Sequence, residues 1–306
     1  MEHPPTPTPE ALSRNETAAS LAERLRLAEQ WTSQVRILNE NGFLSIIPET
    51  HDFGYKDAEG NIYPVPTDRD IAEMMKNPEQ REFLEKKREQ GFTRLLLVPE
   101  KLPLASFIKN YGEAIARHRK KGALLLSDGT KVTEPPYENR EVYVWDEYKD
   151  ADTNGKLVYA PQEFSPQHGG LAKATLTSGW RVLLTEDLQN LQREGQGATK
   201  GGRKQLETNK TPNEYLTLLK TEQYKGERGY DPETYMIDAI TRLEETNTVT
   251  DDDTYSYLTG AYFLSAGPVP GASWARDYRQ AALDRREPGY RRGYYGVRVS
   301  VGVEKT

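Results

Sequence analysis

A mixed α+β fold is what this sequence predicts, and three observations point to it. Apolar residues recur at helical spacing in separate stretches, after Thr17, from Ala105 and from Glu233. Between them stand short apolar runs bounded by glycine or proline, Phe92 to Val98 and Gly179 to Thr185, which read as buried strands. The tail is aromatic and irregular until it closes on an alternating run, Gly296 to Val303. With 306 residues the chain can bury a sizeable core.

Residues 1–16 are rich in Pro and Thr and are expected to be disordered. From Thr17, Leu21, Leu25, Ala28, Trp31, Val35 and Leu38 set one apolar face on a helix that Asn41-Gly42 stops. This face is expected to pack on the chain's own domain rather than in a coiled coil. Phe43 to Ile47 reads as a strand ended by Pro48, and Asp57 to Gly60 as a turn. A helix capped by Asp68 is expected to break near Pro78 and resume from Glu79 to Gln90, completing a helical N-terminal segment over 17–90. Everything from 91 to 306 is assigned to a second unit.

In that unit Phe107, Ile108, Tyr111, Ile115 and His118 form the inner face of a helix over Ala105 to Lys121, with His118 read as a half-buried or surface histidine. Strands are expected at Ala123 to Leu126, Val142 to Asp146 and Lys156 to Tyr159, the last two joined by an Asp/Asn/Gly turn. The stretch 186–212 turns polar and Gly-rich, and the run Gly195 to Gly202 within it reads as a flexible surface loop. Thr211 or Asn213 opens a short helix covering Tyr215 to Lys220, and Asp231-Pro232 opens a longer one over Glu233 to Glu245.

Composition excludes several functions. No apolar run approaches a membrane span, no export signal is visible, and without cysteine there is no disulfide, thiolate nucleophile or Cys-ligated zinc. An intracellular or intracellularly made protein is the expectation. A net charge of −6 argues against general nucleic-acid binding. Asp150, Asp152 and Asn154 match the opening of a calcium loop, but Pro161 stands where its closing Glu belongs, so a hairpin turn is favoured over calcium, the one candidate cofactor. Asp251 to Asp253 reads as a solvated turn. Gly195-x-Gly197 lacks the context of a phosphate loop, and no nucleophile elbow or paired metal-binding histidines occur, so no catalytic residue is assigned.

The positive signal is at the end of the chain. No lysine occurs between Lys225 and Lys305, yet Gly271 to Arg298 holds seven arginines, four tyrosines and a tryptophan. Rigid side chains with several donors and little entropy to lose are the chemistry of contact surfaces. Trp274 and Val297 are expected in the core. Arg276, Asp277 and Arg298 are expected as a buried hydrogen-bonded framework, with Arg279 and Gly296 among the punctuating scaffold positions. Arg285, Arg286, Arg292, Tyr294 and Tyr295 are expected to face a partner.

Gly271-Ala-Ser-Trp274, Arg279-Gln-Ala281 and Gly296-Val-Arg-Val299 resemble the ending of formylglycine-generating-enzyme-like members of the C-type lectin fold. The stretch Tyr257 to Val303, with Gly179 to Asp187 and Gly201 to Tyr215 upstream, resembles variable proteins of diversity-generating retroelements. The resemblance spans about residues 90 to 303. It implies a C-type lectin fold with short antiparallel sheets, two main helices and long irregular loops, carrying a variable region at about 255–298. It implies a non-enzymatic, hypervariable protein that binds a macromolecule, most simply another protein. It also implies solvent-facing variable positions at Ser273, Ala275, Tyr278, Leu283, Asp284, Arg285, Arg286, Arg292, Gly293, Tyr294 and Tyr295. Ala272 and Val297 depart from the family pattern, and the missing cysteines remove the oxidising enzymes' catalytic pair. The alternative is a lectin-like or formylglycine-generating-enzyme-like module for a glycan or small molecule.

Overall fold

The computed structural model describes residues 21–23, 25–176, 179–265 and 267–303. The expected tail over 1–16, and Thr17 itself, lie outside them. In chain order the elements are α1 (Leu27–Glu40), β1 (Ser45–Ile46), β2 (Phe53–Lys56), β3 (Ile62–Pro64), α2 (Asp68–Met74), α3 (Pro78–Glu89), β4 (Phe92–Pro99) and α4 (Leu104–Lys120). There follow β5 (Val142–Val144), β6 (Leu157–Tyr159), β7 (Leu171–Ala172), β8 (Trp180–Glu186), β9 (Thr199–Lys200), β10 (Arg203–Lys204), α5 (Pro212–Leu219), β11 (Glu227–Gly229) and α6 (Pro232–Thr246). The C-terminal strands are β12 (Tyr255–Tyr257), β13 (Ala261–Phe263), β14 (Val269–Ala275), β15 (Gln280–Arg286), β16 (Tyr295–Val297) and β17 (Val299–Gly302). The fold is mixed α+β with several small sheets.

Two sheets matter most. One is antiparallel in the order β11-β17-β8-β4; the other, in the order β16-β12-β14-β15-β5, is built on the long β14–β15 hairpin, with parallel strands at both edges. Helix α6 is buried continuously from Pro232 to Leu243, against α4, β4 and β14. It starts where Asp231 accepts a hydrogen bond from the Thr234 amide and Pro232 fills the first turn. A single hydrophobic core joins Leu21, Ile37 and Ile71 of the N-terminal segment to Leu95, Ile240 and Trp274.

The N-terminal helix packs on its own chain, as expected, but is interrupted. Arg26 adopts a left-handed conformation (φ 50°) between a first turn holding Leu21 and α1. From α1, Gln30 and Gln34 meet the open edge of β4. Gln30 accepts from the Leu95 amide and donates to the Thr93 carbonyl, and Gln34 accepts from the Leu97 amide. An exposed strand edge is a template for unwanted pairing, and here side-chain amides occupy it.

Other expectations need correction. Thr67, not Asp68, caps α2 through a reciprocal capping box with Asp70. The strand over Phe43 to Ile47 shrinks to β1, because Phe43 turns inward onto Phe107. Ala123 to Leu126 makes only isolated bridges through Leu125. Strands β5 and β6 belong to different sheets, so the Asp150-to-Gly155 turn joins no hairpin. The stretch 186–212 is anchored by Arg203, fully buried between Glu227 (2.7 Å) and Glu186 (3.2 Å), with Lys87 on the same Glu227 at 2.7 Å. The closing run is two strands: Val297 pairs with Tyr257 in one sheet and Val299 with Gly229 in the other.

His118 is buried, not superficial. Its ring bridges Glu244 and Asn247, each at 3.1 Å, while Arg117 and Asn41 also donate to Glu244. Burial pushes the Glu244 carboxyl up, but these donors outweigh it and hold the group at about 2, below its usual 4.5. A carboxyl depressed in the fold contributes stability above its unfolded value and loses it as pH falls through the folded one. Acidification from about 4.5 to about 2 should therefore remove roughly 1–2 kcal/mol, after allowance for solvent screening, and Glu244→Gln should flatten that part of a melting-temperature profile.

Candidate functional site

The β14–β15 hairpin sorts its side chains by strand alternation. Ala272 and Trp274 on β14, with Ala281 and Leu283 on β15, point to the core and are buried. Ser273 and Ala275, with Ala282, Asp284 and Arg286, face the other way and are only partly buried. Register then extends this outer face into one row across five strands. Tyr295 pairs with Tyr255, Tyr255 lies level with Ser273, Ser273 pairs with Ala282, and Ala282 pairs with Tyr143. Small residues at the centre and tyrosines at both ends make the face concave. A cavity of about 810 Å³ lies over it.

The walls come from elsewhere in the chain. Tyr137, Glu138 and Arg140 close one end, where Tyr137 meets Tyr278 edge-on at 5.2 Å. Arg193 and Asp252 to Thr254 close another side with Arg292 and Tyr294. Arginines and tyrosines alternate through this wall. Arg193 lies over Tyr294 at 5.6 Å, Arg292 over Tyr290 at 5.6 Å, and Arg286 over Tyr255 at 4.7 Å and Tyr295 at 5.4 Å. A neighbouring hollow of about 460 Å³, sharing Arg286 and Arg292, is edged by Arg285, which stacks on Trp145 at 4.6 Å.

Of the eleven expected contact positions, eight line the main cavity: Ser273, Ala275, Tyr278, Asp284, Arg286, Arg292, Tyr294 and Tyr295. Tyr278 (51% exposed) and Tyr294 (37%) are fully presented. Gly293 is exposed beside the cavity, and Arg285 serves the neighbouring hollow. Two residues do not face solvent as expected. Leu283 is fully buried because alternation turns it inward, and Tyr295 is 3% exposed because it stacks on Tyr255 at 4.2 Å. The Tyr295 hydroxyl accepts from Arg286 Nε and Nη2 at 3.2 and 3.1 Å, and Arg286 also pairs with Asp284. Burial raises the Tyr295 phenol above its usual value, partly offset by Arg286. Burial also pushes Tyr294 up, but donors from Arg292 and Tyr295 outweigh it and leave that phenol below its usual value.

The expected framework divides as well. Arg298 is buried, and its guanidinium reaches the two carboxylate oxygens of Asp251 at 3.0 and 2.6 Å and the carbonyls of Leu188 and Gln189. Asp251, far from being a solvated turn, is fully buried and also accepts from Thr254 and Ser256; Asp252 is buried too. Arg276 is exposed yet ties Asp252 to Asp128, whereas Asp277 is simply exposed. Arg279 takes a left-handed turn (φ 54°) and bonds the Pro135 carbonyl, fixing the Tyr137 wall. Gly271 is required because a Cβ there would lie 2.0 Å from the Tyr255 hydroxyl. The Tyr137-to-Tyr143 wall, Arg193 and Tyr290 were not legible as contact residues; the only signal was an aromatic, charged stretch after Pro135-Pro136.

The calcium-like motif does not gather. Asp152 points inward to Lys173 (2.9 Å) and the Leu104 amide (2.7 Å), away from exposed Asn154, and Asp150 bends the backbone at φ 53°. Among the described residues no three His, Asp or Glu side chains are grouped to hold a metal ion, and no helix is long and apolar enough to cross a membrane. No protein-family model, curated protein or solved structure matches the chain.

Proposed function

We propose that this chain is a non-enzymatic ligand-binding protein, a hypervariable receptor of the diversity-generating-retroelement type on a C-type lectin-like frame. The observation that carries the reading is the partition of the β14–β15 hairpin. Its inward residues complete the core, while its outward residues floor a cavity ringed by arginine and tyrosine. Side chains that contribute little to folding can be exchanged at small cost, and the exposed Tyr278, Arg292 and Tyr294 are of that kind, whereas Tyr295 and Arg286 are tied into the frame. The row from Tyr143 to Tyr295 crosses five strands, about 19 Å at ordinary strand spacing, a width that suits a macromolecule better than a metabolite. Cavity acids and arginines largely neutralise each other: Glu138 pairs with Arg140, Asp253 with Arg193, Asp252 with Arg276 and Asp284 with Arg286. The chemistry favours a protein surface over a polyanion such as nucleic acid.

Replacing Tyr278, Arg292 and Tyr294 together by alanine should shift the melting temperature by no more than a few degrees, as surface changes do. A core-sized loss would remove the distinction between face and frame. The genetic half of the reading requires a near-copy of the coding region for 255–300, differing at adenines, beside a reverse-transcriptase gene. A locus lacking both, with invariant residues across strains, would refute it.

A further inference from the structure

Resting on that reading of the cavity, we infer that its partner is a protein segment carrying acidic side chains, received at the Arg292 end. The cavity's acceptors are used and one of its donors is not. Every carboxylate around the cavity already has an arginine. Asp252 is further occupied by the Ser127 amide and Asn190. The arginines are not matched in the same way. Arg292 lines the cavity with no carboxylate paired to it among the described residues. Its guanidinium is nonetheless held in place, donating to the Tyr294 hydroxyl at 3.1 Å and lying over the Tyr290 ring.

The Tyr255 hydroxyl also has no hydrogen-bond partner among the described residues, but it is buried over Gly271 and clamped by Tyr295 and Arg286, so Arg292 alone is offered to a ligand. An idle donor beside satisfied acceptors selects a partner that brings acceptors. Carboxylates suit the fork of a fixed guanidinium best, and because Arg292 has been positioned by two tyrosines beforehand, little order is lost on binding. At the opposite end, exposed Tyr137 and Tyr278 offer only ring faces and phenols. The segment is therefore acidic at one end and apolar or aromatic at the other.

A random displayed-peptide library selected on the immobilised full chain tests this. Peptides enriched in Asp or Glu are expected, and their synthetic versions, followed by fluorescence anisotropy, should bind about tenfold or more weakly to Arg292→Ala, the loss that follows from removing a charge-assisted hydrogen bond. Arg292→Lys should recover part of the affinity, and neither variant should move the melting temperature by more than a few degrees. Peptides that lose binding on Tyr278→Ala but lack acidic residues and ignore Arg292→Ala would overturn the inference while leaving the binding face in place. Peptides indifferent to both substitutions would overturn the inference and the face together. A selection yielding no binder also counts against it.

Discussion

Arg298→Ala is expected to destabilise the protein by about 3–5 kcal/mol, because it strands a buried carboxylate. Asp251 is 0% exposed, and the guanidinium of Arg298 is its charge partner on both oxygens. Thr254 and Ser256 remain as donors, but two neutral hydroxyls do not compensate a full charge away from water. The same substitution also removes the donors to the Leu188 and Gln189 carbonyls, which connect β8 to the loop carrying Arg193. A fall in melting temperature on the order of 10 °C is the expected readout for a loss of this size. Arg298→Lys should recover little, since one ammonium cannot reach both oxygens and two carbonyls. Denaturant titration checks this directly; a loss under about 1 kcal/mol would mean that Asp251 is not a charged hub and that the frame is held otherwise.

That prediction shows where the sequence is legible and where it stops. Strands β4 and β8 hold the apolar runs Leu95–Val98 and Val182–Leu184, α6 begins on the Asp231-Pro232 signal and α5 on Thr211, one of the two starts offered, so local chemistry suffices to find them. Arg298 and Trp274 were read as frame from the punctuating positions of the tail, a reading that also took in Arg276 and Asp277, which are exposed. The partners of the buried charges were not recognisable. Arg298 meets Asp251 across 47 residues, and Lys87 meets Glu227 across 140. Composition alone therefore made Asp251 look like a solvated turn and left Arg203 in a polar, Gly-rich stretch with no partner in sight. The aromatic wall over Tyr137 to Tyr143 was hidden for the same reason, since the parallel pairing of β5 with β15 and the bond from Arg279 to the Pro135 carbonyl bring it to the site. The contact face itself was read as a block of residue types, and alternation within β15 then withdrew Leu283 from it.

Tyr294 and Tyr295 provide the sharpest test of the division between frame and face, being neighbours of identical chemistry with opposite surroundings: Tyr294 stands in the turn before β16 and is exposed, while Tyr295, on the strand, stacks on Tyr255 and is buried. Tyr295→Ala should cost about 3–5 kcal/mol, the range for truncating a buried aromatic side chain. It would delete the stack on Tyr255 and the edge contact to Tyr257 at 5.5 Å, and would leave Arg286 without the hydroxyl that accepts two of its donors. Tyr294→Ala should cost about 1 kcal/mol or less, since it removes an exposed ring whose contacts are an edge to Tyr295 at 4.7 Å and the exposed or half-buried guanidinium groups of Arg193 and Arg292. Tyr295→Phe separates packing from hydrogen bonding: it keeps the stack and should lose only about 1–2 kcal/mol. Equal losses for the two alanine variants would show that stacking on Tyr255 does not decide which tyrosine is frame. The expected inequality also bears on Arg286. Bonded to Tyr295 and Asp284 and covering Tyr255, it acts as frame at the floor of the cavity, so affinity lost on Arg286→Ala should come with lost stability, whereas affinity lost on Arg292→Ala should come alone.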